Sequence, residues 1–260
     1  MKNNLFIAII IIMFCSCGES KQDNVSASAK ETAQQPDTLV YTYTAVAKTE
    51  VNPNIKDTND LYRASITYPV ITGGSTLADS INKILAGTYN NASSAQAFAD
   101  SFTARSKDAM DEASFNAWFY DAVTTVINNN AKFLVLQADI SSYTGGAHGS
   151  YATIYYNLTR DGKQLTWDDI IEPGKKDSLV LLNETALRTQ QEMPAGQNWA
   201  DAGFFADSSH MPLSSVFALT KDGLNITYNQ YEIAPYAMGI ISYTIPYNKL
   251  NGIIKKECLP

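Results

Sequence analysis

The chain has 260 residues, 45% of them hydrophobic, and carries 19 Lys and Arg against 26 Asp and Glu. A net charge of −7 argues against nucleic acid or an anionic membrane face as partner and favours a cationic one. The three cysteines, none in a C-x-x-C spacing, exclude a cysteine zinc site and a dithiol redox motif.

A positive start, Met1-Lys2, precedes ten apolar residues at 5–14, LFIAIIIIMF. Ten helical residues rise only ~15 Å, about half a bilayer core, so this run is expected to be a signal-peptide hydrophobic region and not a span. It ends in FCSCGES. Ser16 before Cys17 with Gly18 after it resembles a bacterial lipoprotein signal, in which Cys17 is lipidated and becomes the new N-terminus. Cys15 competes, but the preceding Phe14 is bulky for a cleavage site. An ordinary secretory signal ending nearby is the alternative. The expectation is a signal peptide at 1–16 and a lipid anchor at Cys17, placing the chain in the cell envelope, periplasmic or at the outer-membrane surface. Cleavage there removes Lys2 and no acid, so the mature chain is one charge more negative. Only Cys258 then remains as a free thiol, and no internal disulfide can form. Residues 17–38 hold a single large apolar side chain, Val25, and read as a flexible tether.

From residue 39, two runs rich in Tyr, Thr, Val and Ile, LVYTYTAVAKTEV and LYRASITYPVI, read as strands. Ser75 or Thr76 can cap a helix whose apolar side is Leu77, Ile81, Ile84 and Leu85. Residues 93–114 read as a longer helix with Ala97, Phe98, Phe102, Arg105 and Ala109 on one side. Strands are expected at 117–128, at 132–140 with Leu134, Leu136, Ala138 and Ile140 on one face, and at 151–159 with Ala152, Ile154, Tyr156 and Leu158 on one face.

Beyond a turn at 159–163, QLTWDDII leads to Pro173-Gly174, and residues 176–192 read as a helix. Residues 194–214 are irregular. Strands at 216–220 and 224–228 pair across Lys221-Asp222-Gly223, where the glycine is expected to supply a left-handed backbone. A further strand comes at 239–245, and Pro246 opens a short terminal helix holding Leu250, Ile253 and Ile254. Runs of strands with helices interposed give an α+β class of mostly antiparallel sheets. The expected organisation is two α+β subdomains, 39–158 and 159–260.

Four segments together, ITYPVI before a helix, SSYTGGAHG before a strand, LTWDDII, and YEIAPYAMGIISYTIPYNKL, resemble a paired domain-of-unknown-function family. That pair forms the extracellular part of the anti-sigma-V factor, a bacterial lysozyme receptor. Similar domains precede the catalytic domain of a peptidoglycan deacetylase and occur alone in lipoproteins of Bacteroidetes-type bacteria. The resemblance covers about residues 40–255. With four residues ahead of the hydrophobic run, no sigma-binding segment is expected, nor is a deacetylase catalytic domain. The resemblance implies a cell-envelope binding module that recognises lysozyme, another cell-wall hydrolase or peptidoglycan.

The candidate site residues come from three stretches. In SSYTGGAHGSYATIYYNL at 141–158, Gly145 and Gly146 suit a tight turn and Gly149 a close approach. Either this is a hairpin whose His148 donates to a carbonyl and whose Tyr143 stacks on a neighbouring strand, or the loop presents Tyr143 and His148 to a ligand. YEIAPYAMG at 231–239 offers Tyr231, Glu232, Tyr236 and Met238 as core or as interface anchors. Trp199, Phe204 and Phe205 form a second candidate contact surface, of the kind that also stacks on carbohydrate.

Catalysis is poorly supported. No G-x-S-x-G occurs, and His148 lies near Ser141, Ser142 and Ser150 in sequence only. Two histidines cannot form an all-His zinc site. Asp168 and Asp169 are adjacent and nominate no carboxylate pair across a cleft. Asp168 reads as the cap of a short turn. No catalytic residue, metal ligand set or cofactor is expected. A protein-binding module, a glycan-binding module and an unrecognised hydrolase stand in that order.

Overall fold

Alternation of side chains across two twelve-residue runs builds the first two strands, β1 (Val40–Val51) and β2 (Leu61–Thr72). The chain is represented by a computed structural model that describes residues 38–51, 61–72, 75–88, 93–108, 118–206 and 210–259. The expected signal peptide, Cys17, the tether up to residue 37, Gly73-Gly74 and the end of the second helix with Ala109 lie outside the described residues.

Helices α1 (Ser75–Thr88) and α2 (Ala95–Asp108) come next, then β3 (Phe119–Asn129), β4 (Phe133–Tyr143) and β5 (Ser150–Thr159). Ser94 caps α2, its hydroxyl accepting the Ala97 N–H at 3.1 Å. The five strands form one sheet in the order β1-β2-β3-β4-β5. All neighbours are antiparallel except β2 and β3, which run parallel. A parallel pair needs a crossover, and α1 and α2 supply it. Leu77, Ile81 and Phe98 from these helices pack with Ile66, Ala122, Leu134, Leu136 and Leu158 of the sheet. Arg105 is exposed, so the apolar side of α2 is narrower than expected.

The second half holds α3 (Trp167–Ile170), α4 (Lys176–Gln190) and a three-stranded antiparallel sheet of β6 (Val216–Leu219), β7 (Gly223–Tyr228) and β8 (Ile241–Pro246). Its core gathers Leu179, Leu187, Phe217, Leu224, Ile226 and Tyr243. Strand β4 feeds both cores: Leu134 and Leu136 face the first, while Phe133 and Val135 face the second. Buried asparagines join the sheets. Asn157 donates to the Phe217 carbonyl and accepts from the Leu219 N–H, both at 2.8 Å, and Asn128 donates to the Leu219 carbonyl at 2.8 Å. These side chains, one from β3 and one from β5, bond the backbone of β6 and satisfy groups that burial would otherwise strand. Residues 36–260 form one compact unit holding both cores. The class is α+β, and the antiparallel pairing dominates.

Three local expectations are corrected. Gly223 is not left-handed; it is required because a Cβ there would collide with the Ile245 carbonyl oxygen. The cap of α3 is Thr166, not Asp168: the Asp169 carboxylate accepts from the Thr166 N–H at 2.9 Å and the Thr166 hydroxyl at 2.8 Å. Pro246 both ends β8 and caps the helix it was expected to open, but that helix is a single 3-10 turn, Tyr247–Lys249, which leads into the buried Leu250 and Ile254.

Candidate functional site

The glycine-rich loop closes the β4–β5 hairpin. Gly145 and Gly146 have φ of 93° and 99°, a region that side chains rarely adopt. The Tyr143 hydroxyl donates to the Gly146 carbonyl at 2.8 Å, and its ring stacks on Phe119 of the next strand at 6.4 Å. His148 emerges from this loop exposed.

The β7–β8 connection brings the second stretch to the same place. The Glu232 N–H donates to the Asn229 carbonyl at 3.1 Å, closing a four-residue turn with Tyr231 in its third position. That position favours glycine, yet Tyr231 occupies it with φ of 67°. The Glu232 carboxylate accepts the Asn229 N–H at 2.6 Å, and burial outweighs that bond to push its carboxyl up from the ordinary value. The turn is clamped to the outer edge of β5. Asn229 accepts from the Thr153 N–H at 2.8 Å and donates to the Thr153 carbonyl at 3.0 Å, while Gln230 accepts from the Tyr151 N–H at 3.2 Å. Asparagine and glutamine side chains thus act as a further strand on a free edge.

Three rings meet as a result. His148 stacks on Tyr236 with centroids 3.9 Å apart and planes at 25°, and Tyr231 lies 6.2 Å from His148 and 5.8 Å from Tyr236. His148 Nδ1 lies 2.9 Å from the Gly149 carbonyl and Nε2 lies 3.2 Å from the Tyr231 hydroxyl. A carbonyl only accepts, so the pattern assigns the proton to Nδ1 and makes Nε2 the acceptor of the phenol. The imidazole is held by a carbonyl and a phenol, not by the carboxylate and serine of a hydrolase triad. Tyr231 is 56% exposed and Tyr151, at the adjoining edge, is exposed as well. Chemically this is a surface of rings for contact.

Of the predicted residues, His148, Tyr231 and Tyr236 meet; Tyr143, Gly145 and Gly146 build the loop that carries His148, and Glu232 closes the turn that carries Tyr231. Trp199 and Phe204 are not part of this cluster. They are 3% and 5% exposed and pack edge to face at 5.1 Å within the second core, which corrects the expected contact surface there; only Phe205, 57% exposed, remains on it. The Trp199 ring carries the Arg188 guanidinium at 4.1 Å, and its N–H donates to Glu184. Burial pushes the Glu184 carboxyl up, but bonds from His210, Arg188 and Trp199 outweigh it and hold it low. The reading of residues missed Asn229 and Gln230, whose only signal was two amides placed just ahead of the tyrosine motif. Among the described residues, no group of three or more His, Cys, Asp or Glu could hold a metal.

The fold and this ring surface define a two-part α+β protein whose halves share one exposed aromatic cluster. Residues 55–151 match the family model described as Deacetylase PdaC, and residues 168–248 match that of a protein of unknown function, DUF3298. The chain thus carries a PdaC-family domain followed by a DUF3298 domain, the pairing that its motifs resemble. The first supplies His148 and the second Tyr231 and Tyr236. A member of the DUF3298 family from Bacteroides fragilis superposes with a TM-score of 0.70 at 22% identity, over 84% of this chain and 94% of that one. A DUF3298 family protein from Pseudomonas aeruginosa gives 0.67 at 20% identity, over 86% and 98%. No curated protein matches the chain significantly.

Proposed function

We propose that the chain is a cell-envelope lipoprotein, tethered through Cys17, that acts as a non-catalytic binding module for a cationic cell-wall hydrolase of the lysozyme type. The observation that carries this reading is the exposed His148–Tyr231–Tyr236 cluster, with one of its rings kept on a backbone conformation that disfavours it. Non-glycine residues in such conformations cost roughly 1–3 kcal/mol and collect at sites of function. Tyrosine, with tryptophan and arginine, is enriched among the residues that anchor protein interfaces. The acidic balance of the chain suits a basic partner and steers its approach.

A glycan-binding module is the second reading, favoured by the outward tyrosine rings at 151 and 231. The two differ in salt dependence. Lysozyme and purified peptidoglycan titrated at low and moderate salt distinguish them: steep loss of lysozyme binding with salt supports the first, and salt-independent binding to peptidoglycan supports the second. Failure to bind either removes both. Partition of the expressed protein into detergent, lost in Cys17→Ala, tests the anchor.

A further inference from the structure

A separate recess of about 400 Å³ opens between the β3–β4 turn and the β6–β7 turn, with the C-terminal residues as its third wall. That volume is in the range of small-molecule sites, and junctions between domains are where such sites concentrate. Phe133, Tyr247, Leu259 and the buried free thiol of Cys258 line it. Two lysines also line it. Lys132 donates to the Leu259 carbonyl at 2.7 Å, which leaves two of its three ammonium hydrogens free. Lys221 stands exposed at the hairpin tip and makes no hydrogen bond or ion pair among the described residues. Arg160 adjoins the recess through a 3.3 Å bond to Asn129. Asp222 and Glu257, next in sequence to Lys221 and Cys258, are the acids beside it. In a chain whose acids outnumber its bases 26 to 19, the lining itself carries two lysines and no acid over an apolar floor.

We propose that the recess binds an anionic amphiphile, a carboxylate or phosphate head on an alkyl chain. The head lies between Lys132 and Lys221, and the chain packs on Phe133, Tyr247 and Leu259. Charge complementarity selects the head, and the apolar walls select the tail.

The test uses the 36–260 fragment, which contains both cores. Octyl phosphate, octanoate, octanol and octyltrimethylammonium are titrated by calorimetry, and alkylation of Cys258, the fragment's one thiol, is timed with each. The expected result is binding of one or both acids at least tenfold tighter than octanol or the ammonium, with slowed alkylation of Cys258. The stronger acid tells a phosphate head from a fatty-acid head. Lys221→Gln, which removes no contact of the fold, should weaken the acid about tenfold, and Lys221→Arg should keep it. Equal binding of octanol, unprotected Cys258, an unchanged affinity in Lys221→Gln, or no binding of either acid overturns the proposal.

Discussion

The imidazole of His148 lies face to face with the phenol of Tyr236, ring centroids 3.9 Å apart and planes 25° from parallel. The two residues belong to different domains of the chain, so the contact exists only when the β4–β5 hairpin and the β7–β8 connection are in register. The Asn229 and Gln230 side chains set that register from the edge of β5. A surface assembled in this way loses its shape if either half shifts, which suits recognition better than a loop that acts alone.

Tyr231 separates strain from contact. Its ring is removed by both Tyr231→Gly and Tyr231→Ala, but alanine retains the penalty of φ at 67° while glycine does not. The glycine variant should be the more stable by about 1 kcal/mol in chemical denaturation. Both should bind partner poorly. Alanine equal to or above glycine would show that the turn is unstrained.

Gly223 sets the spacing of β7 and β8. Any Cβ there meets the Ile245 carbonyl oxygen, a backbone atom that cannot swing aside. Gly223→Ala should therefore cost roughly 2–3 kcal/mol, read as a lower midpoint in denaturant with unchanged slope. A variant as stable as the parent contradicts the close approach.

Asn183 is fully buried and serves two phenols. It donates to the Tyr228 hydroxyl at 2.9 Å and accepts from the Tyr243 hydroxyl at 2.6 Å. Asn183→Leu strands the Tyr243 donor in the core, at a cost of roughly 2–4 kcal/mol. Adding Tyr243→Phe should restore part of that loss. Strictly additive losses in the double variant would deny the coupling.

Asp169 gives the fold an acid-sensitive joint. Hydrogen bonds from Lys163 first, and then from Thr166, hold its carboxyl well below its ordinary 3.8. A depressed folded value contributes stability that is present above the unfolded value and lost as pH falls below it. Asp169→Asn should lower the melting temperature at pH 7, and the gap from the parent should shrink once pH falls below 3.8. A gap that stays constant down to acid pH would place the effect elsewhere.

Much of this fold was legible. Period-2 patterning located Leu134, Leu136, Ala138 and Ile140 on the inner face of β4, and the apolar spacing of α1 buried Leu77 and Ile81 as expected. Aromatic residues in an irregular stretch were not legible, because composition does not separate a surface loop from one folded over a core; Trp199 and Phe204 went inside. Gly223 was placed in the right turn for the wrong reason, since only the third strand shows what its missing Cβ avoids. Both halves of the ring cluster were singled out, but their meeting depends on amide side chains capping a sheet edge far away in sequence. No local pattern encodes that.

The most direct measurement is the affinity of lysozyme for the 36–260 fragment and for its Tyr236→Ala and His148→Ala variants, by calorimetry at low salt. Submicromolar binding is expected, weakened at least tenfold by each substitution, the share expected of an interface anchor, while the melting temperature stays within a few degrees. Binding that both variants retain in full, or its absence in the parent, would contradict the role assigned to the stacked rings.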